Sequence, residues 1–176
     1  MALIVEDGSI VAGAESYISV ADADTYHSNR GNSTWAALTT TVKEQLLRKS
    51  TDYMVARYSK QWRGYRKTAT QDLDFPRSFC YLEPFVYGAA GSYPFLLADD
   101  VVPREVKNAC AELALRANDG ALMVDVGQTV IREKVDVVEV EYDKFSPAQT
   151  RYSQIDAMLS ILLQSTNGFE AKTIRA

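Results

Sequence analysis

The chain has 176 residues, 47% hydrophobic and 24% charged, the composition of a soluble globular domain with one ordinary core. A formal net charge of -4 and a pI near 5.1 oppose strong general attraction to nucleic acid or anionic lipid, so contact with either has to come from a local patch. No stretch approaches the roughly 18 apolar residues of a spanning helix, and the opening MALIVEDG lacks the basic flank and long apolar region of a secretory signal; the expected setting is the cytosol or an assembly made there, without membrane contact.

The segment LIVEDGSIVAGAESYISV mixes short apolar runs with Gly8 and Gly13 and predicts an extended arm that pairs only briefly. Ser19 is placed to cap a short helix over VADADTYHSNR. Asp22 and Asp24 fall in its first turns, where the helix dipole favours carboxylates, and Gly31 ends it. Thr41 and Glu44 in TVKE have capping-box spacing and open a helix running to about Arg57, with Val42, Leu46, Tyr53, Met54 and Arg57 on its buried face. From Gln71 to Asp100, three prolines and two closely spaced glycines argue against a long regular element. Pro103 suits the first turn of the next helix, whose stripe of Val106, Cys110, Leu113 and Ala117 runs to Gly120. Ser153 to Leu163 gives the last helix, with Ile155, Met158, Leu159 and Leu162 on one side.

Between these last two helices, VIREKVDVVEVEY alternates as a strand pair and predicts one long β-hairpin over 129–142. A two-residue turn at Asp136-Val137 pairs Lys134 with Glu139 and Arg132 with Glu141 on one face, and Val135 with Val138 and Ile131 with Tyr142 on the other. Each such pair contributes about 0.2 to 1 kcal/mol. A lone hairpin is marginally stable in water, so it has to lie against its own helices or find a neighbouring copy or partner along its open edges. On the second reading, Ile131, Arg132, Lys134, Glu139, Val140, Glu141 and Tyr142 form a subunit or partner interface. The expected organisation is a single helical domain over 1–163 and a flexible tail over 164–176, where only Phe169 and Ile174 offer apolar anchors for a partner.

Enzymatic chemistry finds little material. His27 is the only histidine, no GxSxG turn is present, and His27 with the separated Cys80 and Cys110 does not make a local zinc set. Both cysteines read as small apolar side chains. The expectation is a non-enzyme without cofactor or metal. One stretch reads as a binding site: RYSKQWRGYRK interleaves Arg57, Lys60, Arg63, Arg66 and Lys67 with Tyr58, Trp62 and Tyr65. Cations that follow phosphates and rings that stack on bases are what a single-strand binder needs. The competing reading, which the pattern favours, has Trp62 and Tyr65 anchoring a helix end to the core while the cations sit in water or pair with acids.

The blocks MALIVEDGSIVAGAESYISVADADTYHSNRGN, QWRGYR followed by DFPRS, VPREVKNACAELALRA, REKVDVVEVEY and TRYSQIDAMLSILL occur in the order and near the spacing of a family of small tailed-phage and prophage proteins labelled DnaT-like single-stranded DNA-binding proteins. The resemblance spans most of the chain. Its layout of helices with a late hairpin is similar to the head-tail connector, or adaptor, proteins of tailed phages. The resemblance implies a mainly α, connector-like helical bundle that forms a dodecameric ring beneath the portal protein, extends the DNA channel and docks a tail or tail-completion protein. It places the protein in the virion, at the head-tail interface, after assembly in the host cytoplasm, with DNA sliding through unbound by sequence. The alternative is a single-stranded DNA-binding replication accessory protein served by Arg57 to Lys67. The aromatic loop from Phe79 to Leu97 departs from that layout, so no contact there is carried over.

Overall fold

A computed structural model describes residues 2–82, 96–123, 130–134, 139–142 and 151–164, with backbone alone for the two segments at 130–134 and 139–142. The N-terminal arm is extended and pairs once, through a parallel bridge between Val5 and Ser16. Its turn folds around a buried carboxylate: Glu6 accepts the backbone N–H groups of Gly8, Ile10 and Val11 at 2.8, 3.0 and 2.9 Å. At Gly8 (φ +113°) a Cβ would lie 1.9 Å from the carbonyl oxygen of Asp100, so only glycine lets the arm seat on the turn before the fourth helix.

Helix α1 is Val20–Ser28, and Ser19 caps it by accepting the Asp22 N–H at 3.1 Å. It stops at Asn29, before Gly31, because the backbone turns to start α2, Ser33–Ala36, an element not predicted from the sequence. That single turn carries Trp35 into the core, where its indole donates to Asp24 at 2.7 Å. Helix α3 is Thr40–Tyr58. Its cap is Thr39, not Thr41: in the run of three threonines the first one's hydroxyl reaches the Val42 N–H, so the predicted capping box is not used. Glu44 pairs instead with Arg48, one turn on, at 3.9 Å. Helix α4, Arg104–Asp119, follows Pro103 and ends at Gly120 as the sequence predicts. Helix α5 is Ser153–Leu159, and the chain continues as turns to Leu162.

The fold is mainly helical. α3 packs along α4, α4 meets α5, and α1 leans on both α3 and α4. Small side chains on α4, Ala109, Cys110, Ala111, Ala114 and Ala117, are all buried with Val106 and Leu113, which is how one helix serves neighbours on several sides. Full burial of a side chain such as Leu113 is worth about 1.5–3 kcal/mol. Both cysteines are buried free thiols, and burial pushes each thiol's pKa up. Cys110 is less purely apolar than its stripe suggests, since its sulfur lies 3.0 Å from Ser50 Oγ and 3.5 Å from Thr51 Oγ1.

His27 is fully buried on α1. Its Nε2 lies 3.1 Å from the Ala111 carbonyl, which can only accept, so Nε2 carries the proton and Nδ1 accepts from the Asn32 amide at 2.9 Å. The ring also stacks on Trp35, with centroids 4.6 Å apart.

The hairpin consists of β3, Val130–Lys134, and β4, Glu139–Tyr142, antiparallel. Lys134 pairs with Glu139 and Arg132 with Glu141 as predicted, and Glu133 faces Val140. The predicted partnership of Ile131 with Tyr142 is replaced by Val130 with Tyr142, because the register shifts between Val130 and Arg132 and leaves Ile131 as the extra residue. The predicted Val135–Val138 pair and the turn lie outside the described residues.

Candidate nucleic-acid interface

The end of α3 delivers Tyr58 and, one turn later, Trp62 into the core. Both meet acids there: Tyr58 donates to Asp156 at 2.6 Å, and Trp62 Nε1 donates to Asp74 Oδ2 at 3.1 Å. Burial and the Asp156 contact raise the Tyr58 pKa well above its ordinary value. Asp74 is fully buried and also accepts from Ser59 Oγ at 2.9 Å and from Arg66 Nε and Nη2 at 3.2 and 2.8 Å. Its own N–H donates to the Tyr17 hydroxyl at 3.0 Å. Four donors around one carboxylate satisfy a charge that would otherwise be costly to bury.

The blocks QWRGYR and DFPRS are therefore two halves of one structural unit. Their strands, β1 (Tyr65–Arg66) and β2 (Arg77–Ser78), pair antiparallel, Tyr65 opposite Ser78. Arg77 is buried and donates to the carbonyls of Arg63 and Gly64 at 2.8 and 2.7 Å, and burial lowers its pKa. At Gly64 (φ +69°) a Cβ would lie 2.4 Å from the Ser78 carbonyl oxygen, so glycine allows the two backbones to close. The pairing extends on both sides. Trp62 bridges to Leu163, with Arg63 N–H donating to the Leu162 carbonyl at 2.9 Å, and Tyr81 bridges to Leu96. Segments 162–164, 61–66, 77–81 and 96–97 thus form an irregular edge of short backbone ladders.

The sequence pattern from Arg57 to Lys67 divides on this frame. Trp62 is 1% exposed and has no ring face to offer a base, in keeping with the anchoring reading. Tyr65 was grouped with it as an anchor, yet it is 75% exposed, because β1 turns it away from the core. Arg66 is held by Asp74, and Lys67 pairs with Asp99 at 3.2 Å. Arg57, Lys60 and Arg63 meet no carboxylate within salt-bridge distance among the described residues. Lys60 is exposed, and Arg63 is tied to the carbonyls of Leu163 and Tyr81 at 3.0 and 3.3 Å, which fixes its position without cancelling its charge.

Two residues were missed from the sequence. Phe79 is 71% exposed with φ +58°, and Tyr81 is 37% exposed with the Arg63 guanidinium 4.7 Å from its ring centroid. Buried Cys80 lies between them, so Phe79-Cys80-Tyr81 reads out-in-out with period two. That alternation was a usable signal, hidden inside a stretch where Pro and Gly suggested no regular element.

For the predicted interface on the hairpin, the backbone places Arg132, Lys134, Glu139, Val140, Glu141 and Tyr142 in the ladder and Ile131 at its irregularity; their side chains lie outside the description. Phe169 and Ile174 lie outside the described residues. Gln164, assigned to the tail, is tied down: its N–H donates to the Gln61 carbonyl at 2.7 Å and its side-chain amide to the Trp62 carbonyl at 3.0 Å. Among the described residues no group of three His, Cys, Asp or Glu side chains could hold a metal, and no helix is long and apolar enough to cross a membrane.

No curated protein and no solved structure gives a significant match to the chain. A family model does, over residues 1–176, with the description "Putative DnaT-like ssDNA binding protein"; the chain belongs to that DnaT-like family.

Proposed function

We propose that the protein is a non-enzymatic binder of single-stranded DNA, with the edge around Tyr65 as its contact surface. The observation that carries the reading is an exposed ring, Tyr65, on a frame whose Lys60 and Arg63 have no carboxylate within salt-bridge distance among the described residues. Family membership supports the same reading. Cations beside accessible aromatic faces are the usual means of holding a single strand without reading its sequence. Both ring nitrogens of His27 are spent on structural hydrogen bonds, which supports binding over catalysis.

Titration of a fluorescent oligothymidylate against the protein tests this. Expected is binding that weakens with salt, with a log–log slope of about -1.4 for the two phosphates met by Lys60 and Arg63 at about -0.7 each. Absence of binding at low ionic strength would overturn the proposal.

A second reading, a phage head-tail adaptor, is favoured by the hairpin. Among the described residues β3 and β4 pair only with each other, so both outer edges have unpaired backbone groups to offer a neighbouring subunit in a dodecameric ring, a portal or a tail protein. Native mass spectrometry of the protein with a purified phage portal tests it. A closed oligomer on the portal supports the adaptor, and a monomer that ignores the portal excludes it.

A further inference from the structure

Phe79 and Tyr81 have no role in the core and none in the motif from Arg57 to Lys67. An exposed Phe in the left-handed region gains nothing from packing, yet the backbone holds it there. The close approach allowed by Gly64, whose added Cβ would lie 2.9 Å from Cys80 N and 3.0 Å from the Phe79 carbonyl carbon, presses this turn onto β1. Cys80 is directed inward and the rings on either side are left in solvent. Tyr81 is steadied by the Arg63 guanidinium, and Tyr65 stands opposite the neighbouring Ser78. Three exposed rings therefore belong to one pair of adjoining segments, with Arg63 held against one of them and exposed Lys60 three residues earlier in the chain.

We infer that Tyr65, Phe79 and Tyr81 form a stacking platform for unpaired nucleobases, with Lys60 and Arg63 drawing in the phosphates. The inference rests on the single-stranded DNA reading and gives that surface its ligand class. Unpaired bases offer free π faces, whereas those of a duplex are covered by their neighbours, so the platform selects single strands.

Phe79→Trp supplies the probe. Trp35 and Trp62 are each 1% exposed, so the new indole reports the surface. An oligothymidylate of about 10 nucleotides spans a site of this kind and is expected to quench its emission, while a duplex of equal length is not. Phe79→Ala and Tyr81→Ala are each expected to weaken binding about 5- to 100-fold. Phe79→Leu should behave like the alanine variant, since it keeps bulk and loses the π face. The salt slope should stay unchanged in all three and fall in Lys60→Ala. Thermal melts near that of the parent protein would show that these exposed positions leave the fold intact.

If the unaltered protein binds no single strand, the proposed function falls and the platform with it. If it binds while the ring variants match it and the indole is not quenched, the platform alone is overturned. Ring variants that keep DNA affinity but lose self-association would assign the surface to protein contact and equally overturn the platform.

Discussion

Trp62 and Asp74 are joined by a buried hydrogen bond, indole Nε1 to carboxylate Oδ2 at 3.1 Å, and this bond closes the end of α3 onto the loop that follows β1. Phe75, next in the chain, packs edge-on against the same indole with centroids 5.0 Å apart. Trp62→Ala is expected to cost about 3–5 kcal/mol, as for other large buried aromatics. Urea denaturation measures it. A loss below about 1 kcal/mol, the size of an ordinary surface change, would contradict the anchoring role.

Asp74→Asn tests the carboxylate. An amide presents one acceptor oxygen and an NH2 group to donors from Ser59, Trp62 and Arg66, so at least one donor loses its partner. Destabilisation of about 1–3 kcal/mol is expected, read from the same urea transition.

His27 sets an acid limit on stability. Burial lowers its pKa, outweighing the Ala111 hydrogen bond and the nearby Glu112 and Asp24 charges that favour protonation, while Arg30 opposes it. The unfolded imidazole takes its proton near pH 6.5 and the folded one does so only at lower pH. Stability from this group is thus present above about pH 6.5 and is lost as the pH falls through the unfolded value toward the folded one. His27→Gln should flatten the decline of the urea midpoint between about pH 7.5 and about pH 5.5. An unchanged decline would assign the acid sensitivity to other groups.

Phe79→Gly separates stability from binding. Glycine adopts φ +58° freely, whereas a bulky residue there carries about 1–3 kcal/mol of strain, and the lost ring is exposed. The variant is expected to melt at the same temperature or higher while binding single-stranded DNA more weakly. A lower melting temperature would mean that the ring packs against something.

Helices with a cap, a stripe and a stop were legible in the sequence. For α4, Pro103, the run from Val106 to Ala117, and Gly120 state the element, and the structure follows within one residue. α3 was legible as a helix but not at its start, since three successive threonines offer three equivalent caps and tertiary packing chooses among them. The two-residue β1 and β2 could not be read, because strands that short carry no periodicity and exist through the Arg77 hydrogen bonds and the Gly64 contact, both set by residues distant in sequence. The candidate site was half legible. Cation-aromatic interleaving located the segment, but which rings face solvent depends on β1 turning Tyr65 outward and on Asp74 capturing Trp62. Arg132 opposite Glu141 and Lys134 opposite Glu139 followed from alternation alone, whereas the shift at Ile131 left no trace in the pattern.

The anchoring of Gln164 on Gln61 and Trp62 gives the polypeptide a fixed point of departure. The edge around Tyr65 therefore depends on the segment after α5 as well as on the one after α3: a substitution at Gln61 or Gln164 loosens the frame under Arg63 without touching a ring.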